Sequence, residues 1–89
     1  EAQRLGLVNR VVKPELLTSE TQALAQRLAE GPNMAQAMAK EAVSCAAELP
    51  LENILALEAR NQTIAIRTYD VKEGMAAFVE KRKPKFEGR

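Results

Sequence analysis

An aromatic side chain and an ammonium group lie three residues apart near the end of the chain, at Phe78 and Lys81. Residues three apart on a helix are neighbours on one face. Such a pair can bind a nucleotide, because the ring packs near the base while the cation neutralises a phosphate. The alternative is a core Phe78 beside a solvated Lys81, and local spacing alone favours that alternative.

The chain shows no recognisable catalytic set. It has no histidine and one cysteine, which excludes Ser-His-Asp and Cys-His catalysis, His-bearing zinc sites and a thiolate cluster. No spacing of glutamates predicts two carboxylates in one pocket, as acid-base catalysis requires. Ser44 and Cys45 lack a neighbouring base and are expected to pack. We therefore predict no catalytic residue and no metal site in this chain.

Composition excludes several classes of protein. The 89 residues carry 13 Lys and Arg against 12 Asp and Glu, so we expect neither a nucleic-acid nor a membrane partner. A lone cysteine agrees with a reducing compartment, the cytoplasm or, in a eukaryote, the mitochondrial matrix. No apolar run approaches the roughly 18 residues of a membrane span. The chain opens without Met and reaches an apolar stretch at once, so we expect a fragment of a larger protein.

Glycine and proline divide the chain into helical segments. Residues 1–4 resemble a helix end closed by Gly6, and residues 7–12 have the character of a strand or extended connector. A helix to about residue 30 follows and stops at the Gly-Pro pair of residues 31–32. Pro50 is expected in the first turn of a third helix. A fourth helix should end at residue 82 or 83, ahead of Pro84, with a frayed or contact-ordered tail after it.

Polar residues at the predicted helix starts indicate capping boxes, in which a polar N-cap residue precedes Glu or Gln by three positions. Three such pairs occur: Ser19 with Gln22, Asn33 with Gln36, and Asp70 with Glu73. The fold class predicted from these segments is all-α, with three to four helices and a short extended N-terminal segment.

Apolar periodicity predicts the core of the second and third helices. An apolar stripe steps by three or four residues and is expected to pack, at Met34, Met38, Ala42, Cys45 and Leu49. Glu58 lies among apolar positions of the third helix. We interpret it as the partner of Arg60 or another arginine, the alternative being an interface residue whose partner lies outside the chain.

Residues 68–86 closely resemble the C-terminus of the crotonase superfamily, enoyl-CoA hydratases in particular. The resemblance is carried by the string D-x-x-E-G-x-x-A-F-x-E-K-R-x-P-x-F, which runs from Asp70 to Phe86. Residues 2–12 are similar to the family's passage from its catalytic core into its terminal helices. The resemblance thus covers essentially the whole chain and implies that residues 1–89 are the C-terminal helical domain of a crotonase-like fold.

The resemblance also implies a function. A parent enoyl-CoA hydratase adds water to a 2-enoyl-CoA thioester in fatty-acid oxidation, with two glutamates and two backbone N–H groups in the missing N-terminal core. The helical domain would form homo-oligomer contacts and a lid on the acyl-CoA pocket. Phe78 and Lys81 resemble the family's contacts to coenzyme A, which is part of the substrate, so no separate cofactor is expected. The fragment alone should be inactive.

Other functions remain open on the sequence alone. Isomerases, dehydratases and thioester hydrolases of the superfamily share this terminal region. A stand-alone helical protein-interaction module could use the stripe from Met34 to Leu49. A basic tail for nucleic acid is a third hypothesis, based on residues 81–85, although that segment lacks interleaved aromatics and the chain lacks a strong net charge.

Overall fold

The chain forms four α-helices, and the Gly31-Pro32 pair and Pro50 separate the first three, as the sequence predicts. The structure, a computed structural model, describes residues 1–89. A 3₁₀ turn at Pro14–Leu16 precedes α1 (Leu17–Ala29), α2 (Asn33–Cys45), α3 (Leu51–Ala65) and α4 (Tyr69–Val79). The fold is therefore all-α, and the predicted fold class is confirmed.

The first thirteen residues contain no strand. A turn over residues 2–5 ends at Gly6, whose φ of 75° provides the predicted left-handed stop. Residues 7–12 have no regular secondary structure. Of the two predicted alternatives for this segment, the extended connector is therefore right and the strand is wrong. A single strand has no partner among these helices, because every later segment is helical or irregular.

The predicted capping boxes are wrong, although the helix order is right. Ser19 lies inside α1 and its hydroxyl donates to the Leu16 carbonyl, since the preceding 3₁₀ turn already starts the helix. Asn33 is the first residue of α2, and its amide donates back to the Ala29 carbonyl. At α4 the N-cap is Thr68, whose hydroxyl accepts the Val71 N–H at 3.2 Å.

The two central helices, α2 and α3, pack on each other. Ala42 is buried between them, and the buried Asn61 amide donates to the Met38 carbonyl at 3.5 Å. The apolar stripe of α2 is thus core at Ala42, while Met34, Met38 and Cys45 are half-buried. Leu49, beyond the end of α2, is 44% exposed, so the predicted core does not extend to it.

Little of the chain is buried. Only four residues are buried, and 17 large hydrophobic side chains are exposed. The radius of gyration is 16.5 Å, against about 12 Å for a globular chain of this length. The accessible surface is 7399 Å², about 2,200 Å² more than the roughly 5,200 Å² that a monomer of this mass exposes. The helices therefore present broad apolar faces to the outside.

Candidate functional site

An open apolar groove lies where the ends of three helices meet the C-terminal tail. It has a volume of about 390 Å³. The start of α2 contributes Pro32 and Met34, α4 contributes Met75 and Phe78, and the tail contributes Phe86. The predicted aromatic residue thus borders a concave apolar surface, which is the kind of surface that a flat ring can contact.

Phe78 lies on the outer face of α4. Its side chain is 85% exposed, and its neighbours Met75 and Val79 are 65% and 79% exposed. The opposite face of the helix carries the buried Ala77 and Asp70. An exposed aromatic residue flanked by exposed apolar residues is typical of a binding surface. Phe78 is therefore not part of a core within this chain.

Lys81 lies outside α4, because the helix ends at Val79. The prediction that Phe78 and Lys81 share a helical face is wrong for this reason. Lys81 has a φ of 55° and follows the C-cap residue Glu80. Its N–H donates to the Phe78 carbonyl at 3.3 Å, and the Arg82 N–H donates to the Ala77 carbonyl at 3.0 Å. These two bonds form a Schellman motif, in which the left-handed residue is usually glycine.

The cations after α4 differ in their partners. Arg82 binds Glu73 and Glu80, and Lys83 binds Glu30 at 3.1 Å. Lys81 is exposed and forms no ion pair or side-chain hydrogen bond within the chain. Its ammonium group is therefore free to meet an anionic group of a ligand.

Glu73 binds the segment that follows Lys81. The Arg82 guanidinium donates to both carboxylate oxygens at 2.6 and 2.9 Å, and the Lys85 N–H donates to one of them at 2.8 Å. These contacts lower the pKa of Glu73 to about 2, and the hydrogen bonds from Arg82 are the largest cause. Glu73 also raises the pKa of Arg82. The carboxylate therefore stays charged in all but strongly acidic solution.

Asp70 binds the end of the tail. Its two carboxylate oxygens accept the N–H groups of Glu87 at 2.7 Å and Gly88 at 3.0 Å, and its own N–H donates to the Arg89 carbonyl. The Arg89 guanidinium lies 4.9 Å from the centre of the Tyr69 ring. The tail is therefore folded back along α4, which orders it and brings Phe86 to the groove.

Asp70 and Glu73 contact the tail, whereas their sequence pattern indicates a helix-capping role alone. A local indication did exist. Thr68 precedes Asp70 by two residues and is itself a good N-cap residue, which leaves Asp70 available for another role. The Arg82 partner of Glu73 was not predictable from helical spacing, because it lies nine residues away and beyond the helix end.

The remaining ionisable candidates are dispersed. Glu58 is exposed and borders a second groove between α2 and α3, and it has no arginine partner. Arg60 instead reaches Glu41 at 3.4 Å, so the predicted pairing of Glu58 with an arginine is wrong. No group of three or more His, Cys, Asp or Glu side chains is placed to hold a metal. None of the helices combines the length and apolarity needed to span a membrane.

The sequence of the chain is similar to those of known proteins. The family model described as enoyl-CoA hydratase/isomerase matches residues 1–89. A Rhizobium meliloti (strain 1021) protein named a probable enoyl-CoA hydratase is 47% identical over the whole chain, which covers 35% of that protein. The 1,2-epoxyphenylacetyl-CoA isomerase of Escherichia coli (strain K12) is 36% identical over the whole chain, which covers 34% of it.

Solved structures agree in sequence and shape. A crystal structure of an enoyl-CoA hydratase subunit from Geobacillus kaustophilus HTA426 is 52% identical, with a TM-score of 0.91 over 99% of this chain and 34% of that one. The chain spans about a third of the length of the relatives it matches. Because the family model covers every residue, the chain belongs to the enoyl-CoA hydratase/isomerase, or crotonase, family.

Proposed function

We propose that these 89 residues are the C-terminal helical domain of an enoyl-CoA hydratase, which hydrates 2-enoyl-CoA to 3-hydroxyacyl-CoA in fatty-acid oxidation. Family membership and the hydratase names of similar proteins support this proposal. The domain contributes part of the coenzyme A site and oligomer contacts. The glutamates that handle water and proton, and the backbone donors to the thioester oxygen, belong to the rest of the enzyme. The domain alone is therefore expected to be inactive.

The exposed apolar surface is the observation that carries the proposal. The excess of about 2,200 Å² over a monomer's surface exceeds the roughly 800 Å² that each partner buries in a standard interface and falls within the roughly 1,000–2,500 Å² that each partner buries in an obligate one. The catalytic core of the enzyme and neighbouring copies in a homo-oligomer are its proposed partners. The compartment that we propose is the cytoplasm or, in a eukaryote, the mitochondrial matrix.

Phe78 and Lys81 are the proposed coenzyme A contacts. The exposed Phe78 ring offers a stacking surface for the adenine at the edge of the groove. Lys81 follows it on the same helix end and has no anionic partner within the chain. Its ammonium is therefore available to pair with a phosphate of coenzyme A. Both contacts bind a part of the substrate that does not react, and binding that is equal in the ground state and the transition state lowers KM without raising kcat.

The test is hydration of crotonyl-CoA by the full-length enzyme, followed as loss of the ultraviolet absorbance of the conjugated thioester. We expect activity, and we expect Lys81→Ala to raise KM by about fivefold, as for one exposed ion pair, with a smaller change in kcat. Lys40→Ala is the matched control, because Lys40 is an exposed lysine of α2 away from the groove. No hydration would contradict the reaction, and an unchanged KM in Lys81→Ala would contradict the site.

A second candidate reaction is isomerisation of an acyl-CoA. The observation in its favour is that the family model matching residues 1–89 is described as enoyl-CoA hydratase/isomerase. Incubating the full-length enzyme with 3-enoyl-CoA and with 2-enoyl-CoA distinguishes the two reactions. A hydratase consumes the conjugated substrate in a water-dependent step, whereas an isomerase produces the conjugated thioester from the unconjugated one.

A further inference from the structure

The turn at Lys81 is unusual because a residue with a long side chain occupies a left-handed position. Its φ of 55° is disfavoured for every residue with a Cβ atom. The two hydrogen bonds of the Schellman motif close the helix end but do not remove that unfavourable contact. The conformation therefore depends on contacts outside the turn that hold the chain on either side of it.

The Glu73 carboxylate makes those contacts. Its side chain is only 10% exposed, and it lies on α4 five residues before Phe78. It receives two hydrogen bonds from Arg82, the residue directly after Lys81, and one from the Lys85 N–H. Paired donation from one guanidinium fixes orientation as well as distance. One carboxylate thus fixes both the start and the continuation of the segment that leaves the turn.

The other ion pairs of this segment are weaker anchors. Glu30 makes a single contact with Lys83, and the two side chains are 48% and 82% exposed. Glu80 binds Arg82 but is 58% exposed. Exposed pairs of this kind contribute little because water competes for both charges. Asp70 binds only the end of the tail, at Glu87 and Gly88. Glu73 is therefore the acidic residue best able to determine the backbone path directly after Lys81.

We propose that Glu73 is a positioning residue for the coenzyme A contact of Lys81. Its hydrogen bonds with Arg82 and the Lys85 N–H fix the left-handed turn from which the Lys81 side chain extends. This inference rests on the proposed function of Lys81. Glu73 touches neither the substrate nor the reacting atoms. It acts on affinity for the nucleotide end of coenzyme A, and it does so through Lys81.

A double-mutant cycle in the full-length enzyme tests the proposal. Steady-state kinetics are measured for wild type, Glu73→Gln, Lys81→Ala and the double variant, with crotonyl-CoA and with S-crotonyl-pantetheine, which lacks the nucleotide. We expect Glu73→Gln to raise KM for crotonyl-CoA by about threefold, part of the full effect of losing the lysine contact. In the Lys81→Ala background, Glu73→Gln should have no further effect on KM for crotonyl-CoA. With crotonyl-pantetheine neither variant should change KM.

Glu30→Gln is the matched control. It removes one carboxylate and one ion pair from the same segment, at Lys83, and leaves the contacts of Arg82 and Lys85 in place. We expect wild-type KM with both substrates. Two results would overturn the positioning role. The first is that the KM increases of Glu73→Gln and Lys81→Ala multiply in the double variant. The second is that Glu73→Gln raises KM equally for crotonyl-CoA and crotonyl-pantetheine.

Arg82→Gln provides a second route if Glu73→Gln does not fold. It removes the paired donation while Glu73 can still accept the Lys85 N–H, and it should raise KM for crotonyl-CoA only when Lys81 is present. If Lys81→Ala itself leaves KM unchanged, the proposed function of the site fails. If Lys81→Ala raises KM but neither Glu73→Gln nor Arg82→Gln does, the positioning role fails alone.

Discussion

A lysine in a left-handed turn is the least expected feature at the scale of single residues. A non-glycine residue in this conformation costs about 1 kcal/mol relative to its usual backbone. Glycine at position 81 would avoid that cost, but it would also remove an exposed ammonium group that has no partner in the chain. A lysine here makes physical sense if its ammonium group is used for binding.

Substitution of Lys81 separates the backbone effect from the charge effect. Lys81→Gly and Lys81→Ala both remove the ammonium, so both should weaken coenzyme A binding equally. They should differ in the free energy of unfolding, with the glycine variant more stable by about 1 kcal/mol because only glycine adopts a positive φ without strain. Urea unfolding of the two variants measures this difference. An alanine variant as stable as the glycine variant would mean that residue 81 does not adopt the left-handed conformation.

The assignment of Phe78 and Lys81 to a coenzyme A site stays a prediction, whereas the geometry predicted for the pair is wrong. Phe78 and Lys81 were singled out by type and spacing, but the spacing argument assumed that the helix continues to residue 82 or 83. The backbone leaves the helix after Val79, and nothing in the local composition marks that point. A left-handed residue is predicted from sequence when it is glycine, as at Gly6, and it is not predicted when it is lysine.

At the scale of elements, the sequence predicted which segments are helical and where they are separated. The Gly31-Pro32 pair and Pro50 act through the backbone itself, so their effects are local and appear where expected. Capping residues are different, because a polar side chain near a helix start has several possible partners. Asp70 binds backbone N–H groups at residues 87 and 88, and only the folded tail brings them within reach.

The contact between α4 and the tail should depend on pH through Glu73. Its pKa is lowered from 4.5 to about 2, so the stabilisation is present above about pH 4.5 and is lost as the pH falls towards 2. We expect the ¹³C shift of the Glu73 carboxyl to titrate with a midpoint near 2. In Arg82→Gln, which removes the largest cause of the shift, the midpoint should rise towards 4.5. A wild-type midpoint near 4.5 would contradict the observed contacts.

At the scale of the whole molecule, the chain folds into helices without enclosing a core of its own. Local patterns predict amphipathic helices, but they do not reveal that most apolar faces stay uncovered. The stripe of α2 illustrates this difference: Ala42 is buried against α3, while Leu49 is exposed beyond the helix end. The sequence could not distinguish these positions, because burial depends on which partner surfaces are present.

Isolated residues 1–89 should self-associate, because their exposed apolar side chains would otherwise face water. Sedimentation velocity over a range of concentrations should show a sedimentation coefficient that rises with concentration. Replacing Met75 and Val79 by Gln should weaken this association, since both lie on the exposed face of α4. Lys72→Gln is the control, because it changes an exposed residue of the same helix without removing apolar surface. A concentration-independent monomer would show that these faces need no partner, and it would remove the main physical support for a domain that covers the rest of an enzyme.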